Sequence, residues 1–513
     1  MEMKKQSLIK GTMILGAAGI FAKFLGIFFR VPLLMLIGDK GVGYYQMSYP
    51  LYTFFVAIAS GVPMAISKLV SEKNAVGDRD GAIQVLRSAT VVMFILGGGF
   101  SAVLLIFSKE LVQFFGWEPK AYYSLMGIAL APIIVSIMSC LRGFFQGMQN
   151  MLPTAVSQII EQIGRVVIGV GLAYLFLPKG IEVSAGGAAF GAAAGGILGG
   201  IYLIYKYVGV RNEFPRVRRF RDDKVLTALL HIAVPMSLGA TVSSIMSLID
   251  SLLVPRKLVQ AGFSMEQATA LFGQLTGKAF VLVSIPLTLS MALCTSLVPI
   301  IAESHKLGRT LDVENKVDTA IRISTVIALP CTLGLCFMAS PILHLIFPRQ
   351  AEGYAILQAL SLSLPFMIIT QATTYILQGS GREIAPVINL GLACIVKVII
   401  TYIVVPMPGI DIYGAAISSF CAYLIACLLN IRLLKTTFNY RIKLYEIIIK
   451  PAFAAILMII AVVFIYMKVY NYTVSNGIAC ILAILSGVAL YAVLIVIFGT
   501  FKYSYIKKKV LKR

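Results

Sequence analysis

Fourteen apolar runs, each long enough to cross a bilayer as a helix, are separated along this chain by short polar intervals. They lie at about 8–37, 44–71, 83–107, 121–145, 153–177 and 186–208. After a basic interval they resume at about 227–254, 271–302, 317–339, 353–379, 385–406, 413–435, 447–470 and 477–499. The pattern predicts an all-α polytopic membrane protein. Prolines fall inside several runs (Pro63, Pro132, Pro286, Pro330, Pro365), which neighbouring helices accommodate within a membrane. Of these, Pro63 and Pro286 are candidate hinges. Composition agrees with the pattern, because 59% of the 513 residues are hydrophobic and only 13% are charged. An ordinary soluble domain carries about 25% charged residues. The amino end, Lys4-Lys5 before an apolar run, reads as the first span, since that run exceeds a leader's apolar core and many spans follow.

Lysine and arginine orient the spans. With the amino terminus in the cytoplasm and the loops alternating, 31 of the 44 cations fall in inward segments and 8 in outward loops, leaving 5 inside helices. The net charge of +22 is therefore mostly a positive-inside signal, and nucleic acid is not an expected partner. Both termini are expected in the cytoplasm, with the chain multi-pass in the membrane. The run Arg216…Arg218-Arg219…Arg221 and the tail Lys507-Lys508-Lys509…Lys512-Arg513 are expected to lie against anionic lipid headgroups. Eight scattered cysteines without a C-x-x-C pair read as small buried hydrophobes, so no disulfide or metal site is expected.

The chain repeats itself. Phe145-Gln146-Gly147 ahead of Pro153 matches Leu377-Gln378-Gly379 ahead of Pro386. Arg165 follows Gln146 by 19 residues, and Lys397 follows Gln378 by 19. Each copy continues into a helix with small residues every fourth position: Gly187, Gly191, Gly195 and Gly199, then Gly414, Ser418, Ala422 and Ala426. Such stripes allow close helix packing. Six helices per copy make the repeat parallel, as suits two lobes rocking around a central cavity. The expected organisation is an N-lobe over 1–208, a basic linker over 209–226 and a C-lobe over 227–446. An extra helix pair over 447–499 and a basic tail over 500–513 complete it.

Candidate chemistry lies in charges that interrupt the spans. Lys23 and Arg30 in the first run are seven residues apart, which puts them on one helix face about 10 Å apart. Lys278 and Lys397 lie deep in later runs, and Asp250 lies near the outward end of another. Glu161 and Arg165 are four apart in the order that favours a helix ion pair, either neutralising each other or meeting a ligand. Five cations against two acids leave an excess of three positive charges, which internal pairing cannot remove. Intramembrane charges usually face a bundle interior or a wet cavity, so the excess points to an anionic ligand. No enzyme constellation competes: the three histidines have no partner at triad or ligand spacing, and there is no P-loop or H-E-x-x-H. No catalytic residue is assigned, and transport must draw on an ion gradient, the membrane potential or consumption of the product.

The segments Lys23-Phe24-Leu25-Gly26…Arg30, Ile37-Gly38, Gly41-Val42-Gly43-Tyr44-Tyr45 and Gly61-Val62-Pro63-Met64-Ala65-Ile66-Ser67-Lys68 resemble the opening of polysaccharide and lipid-linked-sugar flippases. These belong to the multidrug/oligosaccharidyl-lipid/polysaccharide superfamily, and the likeness is greatest to the group holding the sporulation and lipid II flippases of Gram-positive bacteria. It runs the length of the chain. The resemblance implies a monomeric flippase that moves an undecaprenyl-diphosphate-linked sugar, such as lipid II, to the outer leaflet by alternating access. It also implies that Lys23 and Lys278, with Arg30 close to a matching place, meet the diphosphate; the intramembrane charges Glu161, Arg165 and Lys397 are expected to support them. No cofactor is implied, but Na+ or H+ is a candidate coupling ion, and Asp250 with Asn389 is a candidate ion site. Two features depart from the family pattern: the stretch Tyr49 to Ser60 has no charge, and Ala393 stands where an acid is expected. Two alternatives are a drug/cation antiporter of the same superfamily, which would need cavity acids, and a membrane glycan polymerase or ligase. The latter would need a larger outward loop than 255–270.

Overall fold

A computed structural model describes residues 8–211, 223–307, 310–438 and 443–499. The cations assigned to headgroups at 216–221 and in the tail, and the side chain of Lys23, lie outside the described residues. Among the described residues there are no strands. The first helices are α1 (Leu8–Ala59), α2 (Gly61–Ala75), α3 (Arg79–Ile106), α4 (Ser108–Phe115), α5 (Tyr122–Ile128), α6 (Ala131–Gly147) and α7 (Leu152–Phe176). Then come α8 (Ile181–Arg211), α9 (Asp223–Gln260), α10 (Met265–Gly273), a π-helical stretch at Gln274–Ala279, and α11 (Phe280–Lys306). The remainder are α12 (Thr310–Phe337), α13 (Ala339–Ile346), α14 (Tyr354–Ser361), α15 (Leu364–Gly379), α16 (Ile384–Val404), α17 (Tyr413–Phe438), α18 (Lys450–Thr473) and α19 (Asn476–Ile497).

Among the described residues, twelve helical segments are long and apolar enough to span a membrane, and α14 with α15, bent by 43°, makes a thirteenth. The first of the twelve, Ile14–Ala75, is 62 residues long and would measure about 93 Å if straight, three times the hydrocarbon thickness. It holds both of the first two expected spans, and so the fourteen expected runs all find a helical segment. The break comes at Gly38, with φ 65° and ψ −175°, a backbone conformation available essentially to glycine alone. Ile37-Gly38 is thus the corner between two crossings.

Packing divides the chain into two compact units, Met1–Gly273 and Gln274–Arg513. The division falls beyond the basic linker because α9 and α10 pack on α1 and α2. Glycines permit the approach. A Cβ at Gly43 would strike the Thr269 carbonyl, one at Gly61 the Ala233 carbonyl, and one at Gly273 the Asp39 carbonyl. The Gly61 amide also donates to Ser237 Oγ at 3.1 Å.

In unit 1 the small-residue stripe of α8 lies on α7. A Cβ at Gly191 would sit 2.8 Å from the Gly169 Cα, and one at Gly195 would strike the Glu161 carbonyl. The indole of buried Trp117 donates to the Ser251 carbonyl at 2.7 Å, while Glu118 accepts from Tyr44 Oη at 2.6 Å and Thr269 Oγ1 at 3.1 Å. These bonds fasten the α4–α5 connection to α1, α9 and α10. At the α2–α3 turn, Asp78 caps α3 by accepting from the Gly81 amide at 2.8 Å, and its bond from Lys73 holds the carboxyl below its ordinary range.

In unit 2 the second stripe is buried in α17, which packs on α16. The extra pair α18–α19 is joined to the unit by an apolar cluster containing Met338, Ala454, Met458 and Cys480. A further tie comes from Arg322, whose guanidinium reaches Asp318 at 2.7 Å and Glu446 at 2.8 Å.

Candidate functional site

The polar residues of α7 that matter here are Gln158, Glu161, Gln162 and Arg165, at helical positions i, i+3, i+4 and i+7, so they form one stripe along the helix. The α8 glycines approach the α7 backbone closely at Glu161 and Arg165, which fixes the stripe against α8. Glu161 pairs with Arg165, as the spacing predicts, with Oε1 3.4 Å from Nη2. Its closer partner is Arg142 of α6, whose Nη2 lies 2.9 Å from Glu161 Oε2. Arg142 Nε donates to Ser157 Oγ at 2.9 Å, and Ser157 passes its own hydroxyl to the Thr154 carbonyl at 2.7 Å. By sequence alone Arg142 counts among the inward cations. Its position at the end of an apolar run conceals that it turns back toward α7, and no local spacing signals a pair 19 residues apart.

One carboxylate therefore lies between two guanidiniums, and the cluster carries net positive charge. Three tyrosines of α1 cover it. Tyr45 and Tyr49 stack with centroids 5.2 Å apart, Tyr52 follows at 5.8 Å, and Arg165 Nη1 donates to Tyr49 Oη at 3.3 Å. Arg30, half-buried in α1, has no hydrogen-bond or ion-pair partner among the described residues. Lys23 belongs to the same helix, with its backbone two turns earlier. Asp250 lies in α9, within unit 1. Pro63 lies just inside α2, beyond the interruption at Ser60 that separates α2 from α1.

Unit 2 contains the remaining expected residues. Lys278 is 1% exposed and sits in the π-helical stretch, a distortion found often at functional sites. Its ammonium donates to the Glu352 carbonyl at 3.2 Å, and Gln274 Nε2 lies 3.5 Å from the Glu352 carboxylate. The connection ahead of α14 thus covers Lys278, with Gly353 at φ 94° making the turn. Pro286 is buried in α11, and Lys397 is buried in α16 at 2% exposure. Asn389 donates to Asn430 Oδ1 at 2.9 Å, and Asn430 in turn donates to Thr373 Oγ1 at 3.1 Å and Thr374 Oγ1 at 3.2 Å. Sequence reasoning missed Asn430, whose buried amide organises this group. Asp250 and Asn389 belong to different units.

Two cavities open within unit 1. One, of about 580 Å³, is lined by Lys68, Glu72, Gln146 and Gln149 among others. The second, of about 270 Å³, lies among α1, α2, α3, α6 and α7 and includes Arg142, Gln146 and Gln158 in its lining. What such an arrangement can do chemically is hold an anion at Arg142 and Arg165, which share one carboxylate, beside space of molecular size.

Comparisons with known proteins bear on this arrangement. The family model described as "Polysaccharide biosynthesis protein" matches residues 8–305, and the MatE model matches residues 276–403. Stage V sporulation protein B of Bacillus subtilis (strain 168) is 28% identical over 524 residues, spanning 99% of this chain and 98% of the relative. The same organism's lipid II flippase MurJ is 26% identical over 471 residues, with 86% and 85% covered. Among solved structures, lipid II flippase MurJ in an inward closed conformation superposes with a TM-score of 0.71 at 16% identity, covering 98% of this chain and all of that one. An inward-facing multidrug resistance MATE family transporter of the MOP superfamily gives 0.67 at 16% identity, covering 81% and 95%. The structural likeness is one of fold.

Proposed function

Because the chain belongs to the polysaccharide biosynthesis protein family, we propose that it carries a polyprenyl-diphosphate-linked saccharide from the inner to the outer leaflet, with lipid II the leading candidate. The observation that carries this reading is the charge of the buried cluster. Glu161 is shared by Arg142 and Arg165, and Arg30 stands without a partner among the described residues. Buried cations are tolerated where a ligand or counter-ion completes them. A diphosphate presents several acceptor oxygens to cations of this kind; the candidates are Lys23, Arg30 and Arg165 in unit 1, and Lys278 and Lys397 in unit 2.

The proposal assigns alternating access to the repeats 1–208 and 227–446, with both termini cytoplasmic and the chain acting as a monomer in a bacterial plasma membrane. Opening toward the outside would separate α9 and α10 from α1 and α2, where the glycine contacts now hold them. The antiporter reading has the MatE match in its favour. It needs an available acid, whereas Glu161, the acid of this cluster, is already held by two arginines.

Lys278→Glu and Arg30→Glu test the reading. A hydrogen bond to a charged group contributes about 1.5–3 kcal/mol, so neutralising either cation should weaken diphosphate-lipid binding about ten- to hundred-fold, and reversal should do more. Each reversal is expected to abolish rescue of a flippase-deficient strain while the protein still reaches the membrane fraction. Full rescue by both variants contradicts the assignment.

A further inference from the structure

We propose that the smaller cavity of unit 1 is the seat of the saccharide end of the ligand, selected by matching hydroxyl groups. This rests on reading the chain as a carrier of a lipid-linked saccharide. The cavity holds about 270 Å³, equivalent to roughly nine waters at their liquid volume of about 30 Å³ each. That is room for one sugar residue and too little for a polyprenyl chain.

Its walls are of two kinds. Phe55, Met93 and Val135 give an apolar side, and Ser139, Arg142 and Gln158 give a polar one. A pyranose has the same division, with C–H faces that suit an apolar wall and hydroxyl edges that suit a polar one. Phe55 is held in place by stacking on Phe100, centroids 5.0 Å apart. Arg142 is held by Ser157 through Nε and by Glu161 through Nη2. These walls are fixed before any ligand arrives, which lowers the ordering cost of binding.

The unsatisfied atoms favour a ligand that carries donors. Gln158 Oε1 is buried with no hydrogen-bond partner among the described residues, and the same is true of Gln162 Oε1 one turn along the stripe. A buried acceptor left without a donor costs about 1–3 kcal/mol, so the protein is incomplete at this point. A diphosphate cannot complete it, because it offers acceptors to an acceptor. Gln158 lines the cavity while its Oε1 is turned away from it, so the amide must turn for a sugar hydroxyl to donate to Oε1 and accept from Arg142 or Ser139 with the same oxygen; an N-acetyl group adds an N–H donor. The larger cavity shares Met64 and Gln146 with the smaller, which makes it the approach. Gln146 of the repeated Phe145-Gln146-Gly147 motif stands at the junction. The cations then bind the diphosphate, and the amide stripe reads the sugar.

The test compares two probes on the purified full-length protein in nanodiscs: lipid II, and undecaprenyl diphosphate, which lacks the saccharide. Gln158→Leu keeps the side-chain volume and removes the acceptor, and Ser139→Ala removes a hydroxyl. Each should weaken lipid II binding about five-fold while undecaprenyl diphosphate binding stays within about two-fold of wild type. Retained undecaprenyl diphosphate binding also shows that the variants are folded. Unchanged lipid II affinity in both variants would mean the cavity holds only water, and it overturns the proposal. Equal loss for both probes overturns it as well. If the wild-type protein binds neither probe, the underlying functional reading fails instead.

Discussion

Glu161→Leu is expected to destabilise the protein by about 3–5 kcal/mol, the cost of leaving a buried charge without its partner. Two features make this the largest single effect. The carboxylate is shielded, at 13% exposure, and it serves Arg142 and Arg165 together. Removing it leaves two like charges facing each other across α6 and α7, with neutral hydroxyls such as those of Ser157 and Tyr49 left to satisfy them. The measurement is thermal unfolding of the purified protein in detergent, for Glu161→Leu and for the double variant that adds Arg142→Met. The double variant should recover part of the loss, since a pair removed together leaves less charge stranded than a pair broken on one side. A Glu161→Leu protein as stable as wild type would show that the cluster is solvated.

Gly43→Val should be next in severity. The side chain would meet the Thr269 carbonyl, a backbone atom that cannot rotate aside, so α10 would have to move away from α1. Overpacking costs about 1–3 kcal/mol where side chains can adjust, and at least the upper part of that range applies against backbone. The same shift would strain the bonds by which Tyr44 and Thr269 hold Glu118. Lower thermal stability with a protease-sensitive α9–α10 connection is the expected result. Wild-type stability would mean that α1 and α10 do not pack this closely.

These two positions differ in how far they can be read from the chain alone. Gly43 belongs to a glycine-rich segment already conspicuous in the sequence, and its role follows once a partner helix is known. The spans were equally legible, because apolar runs of that length have few other uses, and Gly38 ends the first run where the backbone turns. The stripe Gly187–Gly191–Gly195–Gly199 announced a close helix contact and found it on α7. Pairs within one helix, such as Glu161 with Arg165, also follow from spacing.

What local pattern does not carry is a contact between distant segments. Arg142 ends an apolar run like any inward cation, and only the packing of α6 on α7 brings it to Glu161. Asn430 and Glu352 are single polar residues with no periodic signal, yet one organises the Asn389 group and the other supplies the carbonyl that Lys278 meets. Neither glutamine of the α7 stripe is conspicuous in the sequence, because neutral amides leave no mark on a charge count.

The central claim, that this chain moves a diphosphate-linked saccharide lipid across the bilayer, is tested most directly in proteoliposomes. Wild-type protein and Lys278→Glu would be reconstituted separately with labelled lipid II on the inner leaflet, and the label reaching an impermeant outer reagent would be followed over time. The account predicts protein-dependent appearance of label with wild type and none above protein-free vesicles with Lys278→Glu. Equal rates for the two proteins, or no transfer by wild type under an imposed ion gradient and membrane potential, would contradict it.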